Sequence, residues 1–140
     1  MNACNVLKQY APLPGRILLS LIFVFAGYHK IGGFAQTAAY MASKGLPMSE
    51  ALLALTIAIE LGGGLMILLG WHARWAAFAF ILWLIPVTYT FHAFWGIDPA
   101  QVQNQMNHFM KNVAIMGGMF YVMAYGSGPF SLYKQKQQTE

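Results

Sequence analysis

Glu60 lies inside an apolar run, Ala51–Leu69, that no other Asp, Glu, Lys or Arg interrupts. A run of this length is long enough to cross a bilayer. An ionised side chain near the middle of a membrane helix costs roughly 2.5–3.5 kcal/mol on translocon scales, so it faces a bundle interior and pairs with something. The partners on offer elsewhere in the chain are Lys30, His92, Lys111 and Asn112. Two kinds of work fit such a set. The carboxylate can take up or relay a proton beside a bound apolar molecule, with the lysines balancing its charge. Alternatively, it forms an ion pair that only fixes the bundle.

The remaining chemistry-bearing residues are sparser. His92 and His108 could in principle hold a haem axially, but two histidines without further motif do not define such a site. Hydrogen bonding within the polar cluster, or to a bound carbonyl, is the better reading for both. The single cysteine, Cys4, cannot form an internal disulfide, a CxxC pair or a four-cysteine metal site. Any redox role therefore needs a bound cofactor, a quinone or a partner protein. The nine methionines are scattered and read as packing, not copper ligands. Gly62-Gly63-Gly64 lacks the following Gly-Lys-Ser/Thr of a phosphate loop and reads as close helix packing. No metal site is expected.

These groups must be carried by membrane helices. The 140 residues are 58% hydrophobic and 9% charged, where a soluble domain carries about 25% charged residues. The net charge of +4 is small and scattered, which speaks against nucleic-acid binding. Four apolar spans are predicted, at about 13–34, 49–70, 74–95 and 106–125. The fourth is the weakest, being interrupted by Lys111 and Asn112. Pro86 marks a kink in the third. Lys8 and Arg16 before an apolar stretch resemble a signal peptide, but three further spans favour an uncleaved first helix. The links are read as short: residues 32–47, with Ser49 as an N-cap after Pro47; residues 71–73; and residues 96–105, with Asp98-Pro99 as a turn or helix start. One domain, residues 1–140, is expected, with the fold of an all-α integral membrane four-helix bundle.

Four spans put both termini on one side. That side carries Lys8, Arg16, Arg74, Lys134 and Lys136. The other carries Lys30, Lys44, Lys111 and Asp98. The bias places both termini in the cytoplasm, with Arg16 and Arg74 as topology anchors. Trp71 and Trp75 then fit an inner aromatic belt, Phe94 and Trp95 an outer one. Glu60, eleven residues into its span, lies about 16 Å deep at about 1.5 Å per residue. His29, Lys30, His92, His108, Lys111 and Asn112 all fall in the outer third. Glu60, Gly63, Gly64 and Ile67 share one helix face; Phe23, Gly27 and Lys30 share another; Lys111, Ala114 and Gly118 a third; Thr88 and His92 a fourth. Small residues on these faces let helices approach closely, so Glu60, Lys30 and Lys111 are expected to face neighbouring helices.

The chain resembles the DoxX family, in particular its small bacterial inner-membrane members. The resemblance rests on Arg16, Phe25-Ala-Gly-Tyr-His-Lys30, Lys44-Gly-Leu-Pro47, Glu60-Leu-Gly-Gly63, Leu69-Gly70, Arg74, His92 with Phe94-Trp95, Phe109-Met-Lys-Asn112 and Gly126-Ser-Gly-Pro-Phe-Ser131. It covers roughly residues 16–132. It implies a four-helix bundle in a bacterial inner membrane, and an association with quinone-linked thiosulfate oxidation, with oxidative or quinone stress, or with receptor and chaperone roles. The lack of cysteines beyond Cys4 argues against direct thiol chemistry.

Together these readings predict a polar pocket in the outer half of the bundle for a quinone or similar small apolar molecule, as in a quinone-linked oxidoreductase subunit. Glu60, Lys111 and His92 are the catalytic candidates: Glu60 would accept or relay a proton, Lys111 with Lys30 would balance its charge, and His92 with Asn112 would hydrogen-bond a carbonyl. Lys30, Asn112 and His108 would bind the ligand, with Tyr89 and Trp95 as an aromatic wall. Two alternatives remain open: an accessory, chaperone-like protein for a membrane partner, or a homo-oligomeric transporter or channel.

Overall fold

The computed structural model describes residues 2–133. Lys134, Lys136 and the polar tail lie outside the described residues. Helix α1 (Ala3–Tyr10) buries none of its residues and runs through Ala11 into α2 (Pro12–Gly32). Pro12 at the first helical position fits there because its missing N–H has no intrahelical partner in any case. Then follow α3 (Phe34–Ser43), α4 (Ser49–Ala58), one π-helical turn (Ile59–Gly63), α5 (Gly64–Leu69), α6 (Ala73–His92) and α7 (Pro99–Tyr125). Every described element is helical, and the chain is a helical membrane bundle.

Three stretches are both long and apolar enough to cross a membrane: Ala3–Gly32, Ser49–Leu69 and Ala73–His92. Helix α7 has the length, 27 residues, or about 40 Å of helix. Its first half is too rich in Gln, Asn, His and Lys to meet the apolarity of the other three.

The core is built where α2, α5, α6 and α7 meet. Phe23, Ile67, Ala76, Ala77, Phe80, Ile81, Leu84 and Met119 are buried together. Phe23 and Phe80 stack at 4.0 Å between ring centroids. A Cβ on Gly63 would stand 2.8 Å from Phe80, and one on Gly64 would stand 3.0 Å from Val24. Gly62 has open space around it. Two of the three glycines therefore serve the close packing read from the sequence.

The link after α2 is more than a connection. Its helix α3 buries Ala38 and Met41 against Leu53, with Phe34, Leu46, Ile57 and Phe91 packed around them. This second core seats α3 across one end of the bundle. Ser49 does not cap α4. That position belongs to Met48, in the left-handed region at φ 51, and Ser49 is the first helical residue. Asp98 caps α7, its side chain accepting a hydrogen bond from Ala100 N at 2.9 Å.

The segment after α7 folds back against the opposite end. Leu132 N donates to Leu69 O at 2.9 Å, and Tyr10 stacks on Phe130. Arg16, read from the sequence as a topology anchor, is buried in the bundle. It is 2% exposed and donates from Nη2 to the carbonyl of Phe130 at 2.8 Å and of Pro129 at 3.4 Å. The physical reason is that the returning segment presents backbone carbonyls without helical partners, and a guanidinium satisfies them. Gly70, left-handed at φ 68, lies beneath this contact, and a Cβ there would collide with Arg16 Nη1 and Ser131.

Candidate functional site

A cavity of about 340 Å³ opens between α2, α3, α4, the π-turn, α6 and α7. Its apolar lining includes Ile22, Phe23, Trp83, Leu84, Val87 and Phe91. Lys30, Glu60, His92, His108, Lys111 and Asn112 also line it. Each of these six comes from an apolar span or from α7, so the cavity joins elements that share no local sequence.

Glu60 is 3% exposed and belongs to the π-turn. A π-turn inserts one extra residue into the helical repeat, and such turns are frequent at functional sites. It sits against Gly27 of α2, where an added Cβ would be 3.2 Å from Glu60 Cβ and 2.8 Å from Leu61. The absent side chain lets α2 approach the turn. One turn further along α2, Lys30 Nζ reaches both carboxylate oxygens, at 2.8 and 2.9 Å. Of the four partners considered for Glu60, it is Lys30 that makes the contact. It is the one ion pair among the described residues.

The opposite wall is a second polar set. His92 Nδ1 lies 3.1 Å from Gln105 Oε1. When Nδ1 carries the proton and donates to that carbonyl oxygen, Nε2 keeps its lone pair. The His92 and His108 rings stack at 5.1 Å with planes 22° apart. Asn112 donates from Nδ2 to Thr88 Oγ1 at 3.0 Å, both residues being buried. Lys111 lines the cavity but is exposed, so its side chain stands at the mouth.

Tyr89 and Trp95 are placed elsewhere. Tyr89 is 67% exposed and packs on Trp95, which also meets Phe94 and Phe109 in a separate aromatic cluster. Thr88 is the buried neighbour on α6, and the next residue on a helix turns about 100° away from it. The aromatic side chains on the cavity are Phe23, Tyr40, Trp83 and Phe91 instead. Tyr40 belongs to α3, as do Thr37 and Met41, which also line the cavity. Sequence reasoning missed these because it read residues 32–47 as a plain link. The apolar spacing of Phe34, Ala38 and Met41 was the signal. Gln105 was missed as well, since nothing in its neighbourhood marks it as a partner for His92.

Among the described residues no group of three or more His, Cys, Asp or Glu is placed to hold a metal ion. The site is a set of donors and one carboxylate around an apolar cavity.

Two known proteins similar to the chain are inner membrane proteins. The chain is 33% identical over 120 residues to inner membrane protein YphA of Escherichia coli (strain K12), covering 86% of each chain. It is 35% identical over 126 residues to inner membrane protein YqjF of the same organism, covering 90% of this chain and 92% of the relative. No solved structure matches the chain. The DoxX family model matches residues 11–93, which span α2 to α6 and include both Lys30 and Glu60, and the chain belongs to the DoxX family.

Proposed function

We propose that this DoxX-family protein is an inner-membrane protein that binds a quinone, or a similar small aromatic molecule, in the cavity around Lys30 and Glu60. α7 is its fourth span, and both termini lie in the cytoplasm. The cavity is then in the outer half of the membrane, and its work belongs to redox or stress metabolism. The observation that carries the reading is the convergence of Lys30, Glu60, His92, His108, Lys111 and Asn112 on one mostly apolar cavity. Sites for small molecules are concave and largely apolar, with a few placed polar groups that fix orientation.

The chemistry of a quinone matches the lining. Its ring packs on Trp83, Phe91 and Phe23. One carbonyl accepts from the free amide N–H of Asn112 or from His108. In the quinol form a hydroxyl donates to His92 Nε2. Glu60 takes or returns the proton, and Lys30, already on both of its oxygens, balances the charge left behind.

Calorimetric titration of the purified protein with a short-chain quinone tests the proposal. A Cys4→Ser background is needed, because the exposed thiol adds to quinone rings. The expected result is saturable binding that Glu60→Gln and His92→Ala each weaken by about tenfold, or about 1.4 kcal/mol. Tyr89→Ala should leave binding unchanged. An absence of saturable binding in the unaltered site overturns the proposal.

A further inference from the structure

The charges on the cavity do not balance. Its lining holds two lysines, Lys30 and Lys111, and one carboxylate, Glu60. Lys30 occupies both oxygens of Glu60. Asp98 lies at the N-terminus of α7, where its side chain holds Ala100 N. Glu50 is exposed in the first turn of α4, away from the lining. Lys111 therefore has no carboxylate partner among the described residues. His92 and His108, the titratable neighbours on the same wall, add either nothing or further positive charge. Asn112 adds an amide donor.

An anion placed beside the Lys111 ammonium group gains a charge-assisted hydrogen bond, stronger than one to a neutral acceptor. We infer that the ligand is an aromatic molecule with one ionised acidic group, and that Lys111 is the counter-charge for that group. This rests on the cavity being a ligand site, as proposed above, and adds the charge of its occupant. Lys30 is unsuited to the same task, since drawing it to a ligand would strip Glu60, buried at 3% exposure, of its cation.

A matched pair of naphthoquinones tests this on the purified full chain in a neutral detergent with Cys4→Ser. The 2-hydroxy compound is an anion at neutral pH, and the 2-methoxy compound is neutral and of similar shape. After correction for micelle partition, the anion should bind on the order of tenfold more tightly. Lys111→Gln should abolish that preference, and Lys111→Arg should retain it. Equal binding of the two compounds to the unaltered site overturns the inference and leaves the cavity reading standing. So does a preference that survives Lys111→Gln. Failure of both compounds to bind overturns the inference and the cavity reading together. The comparison between the two compounds needs no variant, so it holds even if Lys111→Gln does not fold.

Discussion

Lys30 and Glu60, thirty residues apart on two different helices, meet through both oxygens of the carboxylate at 2.8 and 2.9 Å. The pair is asymmetric: the Glu60 side chain is 4% exposed and that of Lys30 is 27% exposed. Removing the lysine leaves the more deeply buried charge without its partner, and removing the carboxylate leaves the less buried one. Lys30→Met should therefore destabilise the protein by about 3 kcal/mol or more, at the level seen for broken buried pairs. Glu60→Gln should cost less, and the double variant should regain most of the loss of Lys30→Met. Thermal unfolding of the three variants in one detergent checks the order.

The glycines around the π-turn give a sharp contrast. Gly63→Ala drives a methyl group to within 2.8 Å of the Phe80 ring and should cost about 1–3 kcal/mol through overpacking. Gly62→Ala meets nothing within 4 Å and should be neutral or stabilising by up to about 1 kcal/mol. Melting temperatures of the two single variants decide between a turn fixed by packing and one that merely tolerates glycine.

The buried amide on α7 has one protein partner. Thr88→Val removes the acceptor of Asn112 Nδ2 and should destabilise by about 1–3 kcal/mol, the cost of a buried donor left unsatisfied. Thr88→Val combined with Asn112→Leu should recover stability but weaken quinone binding. Unfolding and titration of the single and double variants separate the two effects.

At the far end of the bundle, Arg16 holds the returning segment by two backbone carbonyls. Arg16→Gln should release residues 127–133 at a cost of about 2 kcal/mol, the scale of hydrogen bonds from charged donors. Hydrogen exchange at those residues should rise while exchange in α6 stays low. Gly70→Ala should act the same way, because its methyl group occupies the place of Arg16 Nη1.

Much of the frame was legible in the sequence, for identifiable reasons. The apolar runs located α2, the stretch from α4 to α5, and α6, because lipid demands continuous apolar length. The small residues beside Glu60 marked its face as one of close helix contact. Which cation meets Glu60 was not legible. That depends on helix rotation, on depth and on a π-turn whose extra residue shifts every face after it. The fold-back that buries Arg16 has no periodic signature at all. Helix α3 did have one, in Phe34, Ala38 and Met41, but a ten-residue helix between two spans is easily read as a link. Tyr89 shows how fine the distinction is: it lies one residue from the buried Thr88 and points to another surface.

The proposed topology has its own test, using the native cysteine. In intact spheroplasts an impermeant maleimide should label Lys44→Cys in a Cys4→Ser background, and should leave Cys4 of the unaltered chain unlabelled until the membrane is opened. The reverse pattern would invert the bundle and move the cavity to the cytoplasmic half.

The most direct test of the central claim is mass spectrometry of the small molecules that leave the membrane with the protein, comparing the unaltered chain with Glu60→Gln. The account predicts a quinone or similar aromatic compound held by the unaltered protein and lost from a folded Glu60→Gln variant. An unaltered protein that emerges with no such compound, accompanied instead by a partner protein in fixed ratio, would contradict it.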